Sequence, residues 1–233
     1  MPDLINPDSL KSDENFLKFI TDLYNNQSVT INIKNLDECK KMARYVAYYS
    51  EQYEDQNISK PSHLMVEMAI NELLINAVEH GMLNIDYNEK TKLLQNQQWN
   101  DGYIVERLSK LPDDKFVTMN FNLNKETKHI SVSIKDPGLG FKFDTTTNSD
   151  KLLPYHGRGC KLARSILENM EYHGNGNEVR FKVSVDLDLL KKAVNSEERS
   201  EQTKKIVIFS TINSDGPAND IPSSDEVKNK LKK

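Results

Sequence analysis

Asn71-Glu72-Leu73-Leu74-Ile75-Asn76-Ala77-Val78-Glu79-His80-Gly81 is the stretch on which the fold turns. It closes the strongest helical pattern in the chain, which Ser62 can cap and which runs from Met65 to His80 before Gly81 stops it. Apolar residues wrap most of the way round, so this helix is expected to be central and buried. Glu72 and Asn76 lie four apart and therefore share one face. Burying such groups unpaired costs roughly 1–3 kcal/mol each, so the pair needs partners. One reading is a pocket: Asn76 offers a hard amide oxygen to Mg²⁺, and Glu72 orients or deprotonates the group that attacks a phosphoryl. The plainer reading is a polar helix face hydrogen-bonded to a neighbouring loop.

Two further motifs lie downstream. Asp136-Pro137-Gly138-Leu139-Gly140-Phe141 follows a strand pattern. A carboxylate at a strand end can accept a hydrogen bond from an exocyclic amine such as that of adenine. Gly138 and Gly140 let backbone approach a ligand, although Asp-Pro and Gly are also ordinary turn residues. Gly157-Arg158-Gly159 opens a helix, where free N–H groups attract phosphate and Arg158 or Lys161 can add charge. Simple loop-to-helix flexibility would read the same way. The Gly-Lys-Ser/Thr of a Walker loop is absent.

The rest of the chain fits around these motifs. Val29–Ile33 alternates as a strand, and helical spacing follows over about 36–54. Asn57 to Pro61 reads as a connector. Residues 83–114 form a long polar insert, with short helices expected at Glu89–Gln97 and Ile104–Leu111 around Trp99. Phe116–Leu123 and Ile130–Lys135 read as a hairpin. Residues 142–156 lack apolar anchors and are expected to be a lid. A short helix is expected over Leu162–Met170. A strand follows over Val179–Val185, after the turn chemistry of Asn175-Gly176. Ile206–Ile212 is a last strand candidate. The division expected is an N-terminal extension at 1–28 and a main domain at 29–185. A helix-and-strand extension at 186–213 and a disordered tail at 214–233 complete it. In residues 1–28, Phe16, Leu17, Phe19, Ile20 and Leu23 suggest either a short edge helix or a partner-binding arm.

Composition narrows the function classes. A net charge of −4, with both signs mixed, gives no footprint for nucleic acid or anionic lipid. Cys39 and Cys160 lack metal-ligand spacing. His80 has no second His at ligand spacing, so packing or a helix-end role is expected of it. Without a leader pattern or a long apolar run, a cytoplasmic protein is the expectation.

The three motifs together are far more specific than any one. Their order is a helix with Glu-x-x-x-Asn, a strand ending in Asp-x-Gly-x-Gly, a loop, then Gly-x-Gly and a helix. This resembles the N, G1 and G2 boxes of the Bergerat-fold (GHKL) ATPases. The wording from Asn71 to Gly81, and from His156 through Gly157-Arg158-Gly159-Cys160-Lys161 to Ser165, is similar to that of RsbW-type anti-sigma-factor serine kinases. Met170-Glu171-Tyr172, the turn after it and Val179 resemble their last strand.

The resemblance implies an α+β two-layer sandwich, with a mixed, mainly antiparallel sheet and helices on one face. It implies ATP and Mg²⁺ as cofactors, with Asn76 on the metal and Glu72 as catalytic base. Asp136 would read adenine, and Gly138, Gly140, Gly157 and Gly159 would shape the lid and hold phosphates. The implied partners are an anti-anti-sigma protein and a sigma factor, or another regulator, and a homodimer is a further option. The alternative is a non-catalytic ATP-binding docking module. Glu178 stands where the family often carries a Thr that supports adenine recognition.

Overall fold

The computed structural model describes residues 13–50, 54–55, 58–59, 62–141 and 158–195. The chain divides into Met1–Ala193 and Val194–Lys233, and the fold below is that of the first unit. The expected lid at 142–156, Gly157, the strand candidate Ile206–Ile212 and the tail at 214–233 lie outside the described residues.

Alternation builds the sheet. In β4 (Val117–Asn124), Val117, Met119, Phe121 and Leu123 are buried, while Thr118, Asn120 and Asn122 face the other way. In β5 (His129–Lys135), Ile130, Val132 and Ile134 join the apolar face. Asn124 turns the hairpin by accepting hydrogen bonds from the backbone N–H groups of Glu126 and Thr127. β1 (Ser28–Ile33), β6 (Glu168–His173) and β7 (Glu178–Ser184) complete a sheet of order β1-β4-β5-β7-β6. All of its ladders are antiparallel. The connector expected at Asn57 to Pro61 includes half of a two-residue pairing, β2 (Glu54–Asp55) with β3 (Ile58–Ser59).

Helices supply the other layer. α1 (Glu14–Asn26) is capped by Asp13, whose carboxylate accepts from the N–H groups of Asn15 and Phe16 and from the Tyr45 hydroxyl. Its Phe16, Phe19, Ile20 and Leu23 enter the core, with the Phe19 ring 5.0 Å from that of Phe121. α2 (Leu36–Tyr48), shorter than the helical spacing predicted, is capped by Asn35. α3 (His63–Asn76) carries the Glu72 and Asn76 motif and is capped by Ser62. It packs between α2 and α6 (Arg158–Ile166). Two short helices, α4 (Tyr87–Gln95) and α5 (Asp101–Leu108), form the insert, and residues 187–195 form a final helix. The result is an α+β two-layer sandwich.

Three local expectations are corrected. α3 is not buried all round: Leu64, Met65 and Met68 at its N-terminal end are exposed. Gly81 does not stop it, because the helix widens into a π-helical turn, Ala77–Met82. The helix expected over Leu162–Met170 ends at Ile166. Asn169 takes a left-handed φ of 51° there, and Met170 already belongs to edge strand β6, whose register is irregular between Glu168 and Glu171.

Candidate functional site

The π turn sets the geometry of the site. Leu83 N–H donates to Val78 carbonyl at 2.9 Å, one residue further back than in an α-helix. The wider turn swings Gly81 onto the end of β5. A Cβ on Gly81 would lie 2.2 Å from Asp136 Cγ, and one on Gly138 would lie 2.8 Å from Gly81 Cα. The contact among Gly81, Asp136 and Gly138 therefore exists only because two of its members lack side chains.

Asp136 is half-buried and held from several sides. Gly138 N–H donates to its Oδ1 at 2.8 Å. Its own N–H donates to the Asn177 carbonyl at 2.9 Å, and Asn177 Nδ2 donates back to its carbonyl at 3.3 Å. Burial pushes the carboxyl above the usual Asp range, against the pull of the backbone N–H groups of Gly138 and Asp136. Oδ2 accepts no hydrogen bond from a described residue. Beyond it, Gly140 has φ 77° and seats its backbone on the carbonyl of Asn175, which locks the Gly138–Phe141 loop to the turn before β7.

The other half of the site is the contact between α3 and α6. A Cβ on Gly159 would lie 2.2 Å from Glu72 Oε2, so the Glu72 carboxylate rests on the first turn of α6. One turn along α3, Asn76 Nδ2 donates to Cys160 Sγ at 3.7 Å. Lys161 is exposed on the same helix start. Arg158 begins α6, and its side chain, like Gly157, lies outside the described residues. The structure thus brings together Glu72 with Gly159, Asn76 with Cys160, and Asp136 with Gly138. The first two contacts pack against α3, and the third against the π turn that extends it.

Several contacts around the site were not foreseen in the sequence. Tyr172 of β6 donates its hydroxyl to Cys160 Sγ at 3.3 Å, and its ring meets Phe141 edge-on at 5.0 Å. The insert also reaches this region. The rings of Tyr87 and His80 lie 4.5 Å apart, and His80 Nδ1 pairs with the Ile85 carbonyl. Lys90 forms an ion pair with buried Glu79 and lies 4.7 Å from the Trp99 ring centre. Glu178 pairs with Arg180 at 2.6 Å.

The comparison with known families decides the assignment. The profile described as "histidine kinase-like ATPase domain" matches residues 37–183. The chain belongs to this family. No match was found among curated proteins or among solved structures. Membership in the histidine kinase-like ATPases makes the chain an ATP-binding protein of the GHKL superfamily, and the matched range holds all three motifs and the insert. Among the described residues, no helix is long and apolar enough to cross a membrane.

One signal for the unread residues was present in this histidine kinase-like ATPase domain. Asn175-Gly176 read as turn chemistry, but nothing local tied that turn to Asp136. Gly81 read as a helix end, because its partner lies far along the chain.

Proposed function

We propose that this ATPase domain is a regulatory serine/threonine-protein kinase and anti-sigma factor that works by partner switching. Its partners on this reading are an anti-anti-sigma protein bearing the acceptor serine and a sigma factor or similar regulator. The wording around Glu72 and Gly159 supports that branch of the superfamily. The observation that carries the reading is the seat of Glu72, a carboxylate on the first turn of α6, one helical turn from Asn76. A helix start without a side chain favours phosphate, and a carboxylate beside it can serve as a base.

The residues fit an adenine nucleotide and its cation. Asp136 Oδ2 and Asn76 Oδ1 are acceptors without a described partner, and the close contact of Gly81 with Gly138 and the Asp136 carboxylate holds that carboxylate between β5 and the π turn. Bound ATP–Mg²⁺ supplies the transferable phosphoryl group and the cation that shields its charge. Asn76 would give the metal a hard oxygen. Asp136 would accept from the exocyclic amine of adenine. Gly138, Gly140, Gly157 and Gly159, with Arg158 and Lys161, would hold phosphates and shape the lid. Glu72 would accept the proton of the serine hydroxyl, a role worth about 10²–10⁴-fold in rate.

The test is capture of partners from cell lysate with and without ATP–Mg²⁺, then phosphosite mapping on what is captured. The expected result is a partner phosphorylated on serine or threonine by wild type. Glu72→Gln should lower that transfer by about 10²–10⁴-fold while the complex still forms. A nucleotide-dependent complex to which wild type transfers no phosphate would reject the kinase and leave a docking module for a response regulator or phosphatase.

A further inference from the structure

Asn76 can face its surroundings with either end of its amide, and only the oxygen can bind a cation. The Cys160 sulfur decides between them. Asn76 Nδ2 donates to Cys160 Sγ at 3.7 Å, so the amide oxygen points away from the sulfur. Oδ1 takes no hydrogen bond from a described residue.

The sulfur is itself fixed. Tyr172 donates its hydroxyl to Sγ at 3.3 Å from β6. Burial pushes the Tyr172 hydroxyl well above the usual tyrosine range, so it keeps its proton and remains a donor. Cys160 stands in the first turn of α6, whose backbone is pressed against Glu72 at Gly159. Sulfur is a weak acceptor with a long reach, which suits a contact of this length between two helices. An aliphatic residue here would leave the Asn76 amide nitrogen without an acceptor and the amide free to turn.

We propose that Cys160 is a positioning residue for divalent-cation binding: its sulfur accepts from Asn76 Nδ2 and thereby presents Asn76 Oδ1 to the cation of a bound nucleotide. The proposal rests on the reading of Asn76 as the metal ligand. Groups that orient a metal ligand typically contribute about 10–100-fold to metal affinity. A single N–H to sulfur bond belongs at or below the low end of that range.

The experiment measures the Kd for ATP in excess EDTA and in excess Mg²⁺, and compares the ratio of the two across variants. A general loss of pocket shape moves both values together and leaves the ratio unchanged, whereas a misplaced metal ligand moves the ratio. Cys160→Ala should lower the Mg²⁺ enhancement about three- to tenfold. Cys160→Ser, whose hydroxyl can still accept, should recover most of it. Cys160→Val keeps the bulk without the acceptor, and replaces the alanine variant if that one does not fold. Asn76→Ala should abolish the enhancement. A wild-type ratio in Cys160→Ala alongside its loss in Asn76→Ala would overturn the positioning role alone. Equal damage from serine and alanine would also overturn it, since packing and not the acceptor would then matter. A wild-type ratio in Asn76→Ala would instead remove the metal-ligand reading beneath it.

Discussion

Asp136 meets two opposed demands. In its proposed role of accepting from the adenine amine it should be ionised, yet its place under Gly81 and Gly138 disfavours the charge. Its folded pKa is raised, so the native state holds the proton more tightly than the unfolded chain does. The stability this contributes is fully present below the unfolded value of about 3.9. It is lost as pH rises through the raised folded value, and above that the buried carboxylate is a standing cost. Asp136→Asn removes the charge and keeps an acceptor for Gly138 N–H. It should therefore raise Tm at pH 7, with the gain shrinking as pH falls toward 4, while ATP binding weakens by at least about tenfold. Calorimetric melts at the two pH values check this, and a Tm at pH 7 equal to or below wild type would contradict it.

At this scale the sequence was legible where chemistry is unusual. A carboxylate and a carboxamide on an apolar helix, and an Asp ahead of two glycines, stand out by type. Gly81, Tyr172 and Asn177 did not, because their roles come from contacts with residues distant in the chain.

Among the elements, the insert is tied to the π turn by an ion pair between buried Glu79 and part-buried Lys90. Glu79 sits in the π turn with only 6% of its side chain exposed, and Lys90 of α4 is its ion-pair partner under Trp99. Around it, Arg107 of α5 bonds Glu89 at 3.1 Å and the Leu83 carbonyl at 3.2 Å. Removing one member of a buried pair strands the other charge, at a cost of about 3–5 kcal/mol. Lys90→Met should accordingly destabilise the protein by about 3 kcal/mol in urea unfolding, and adding Glu79→Gln should restore much of the loss. A Lys90→Met variant as stable as wild type would show that the pair does not anchor the insert.

The hairpin was readable because its faces alternate cleanly, and α2 because its apolar residues recur at helical spacing. β6 was not: only Met170 among Glu168–His173 is buried, so an edge strand with one core residue leaves no period to detect, and its start merged with the preceding helix. The π turn left no trace either, since Ala77 to Met82 continue a pattern that any helix would show.

Over the whole molecule, sheet order does the assembling. β5 and β7 are neighbours, which puts Asp136 at the end of one beside Asn177 at the start of the other. α3 and α6 pack side by side on the apolar face, which puts Glu72 and Asn76 against Gly159 and Cys160. Motifs spread from residue 71 to 161 thus meet around one helix and its π extension. The other face of the sheet stays polar, with a shallow depression over Asn120, Ser133, His173 and Arg180 that none of the three motifs touches. The two-layer plan was legible through the family resemblance that the three motifs carry together, and the element order read from the sequence fits it.

On the proposed function, Asp136, the Gly81–Gly138 contact and the Glu72–Asn76 face form one ATP site. Titration calorimetry of the full chain with ATP–Mg²⁺ tests it most directly, on wild type, Asp136→Asn and Gly81→Ala. Wild type should bind saturably and each variant should lose at least about tenfold in affinity, since Asp136→Asn alters the group proposed to accept from adenine and a Cβ on Gly81 displaces it. No binding heat from wild type over a range of temperatures, or variants that bind as tightly as wild type, would contradict it.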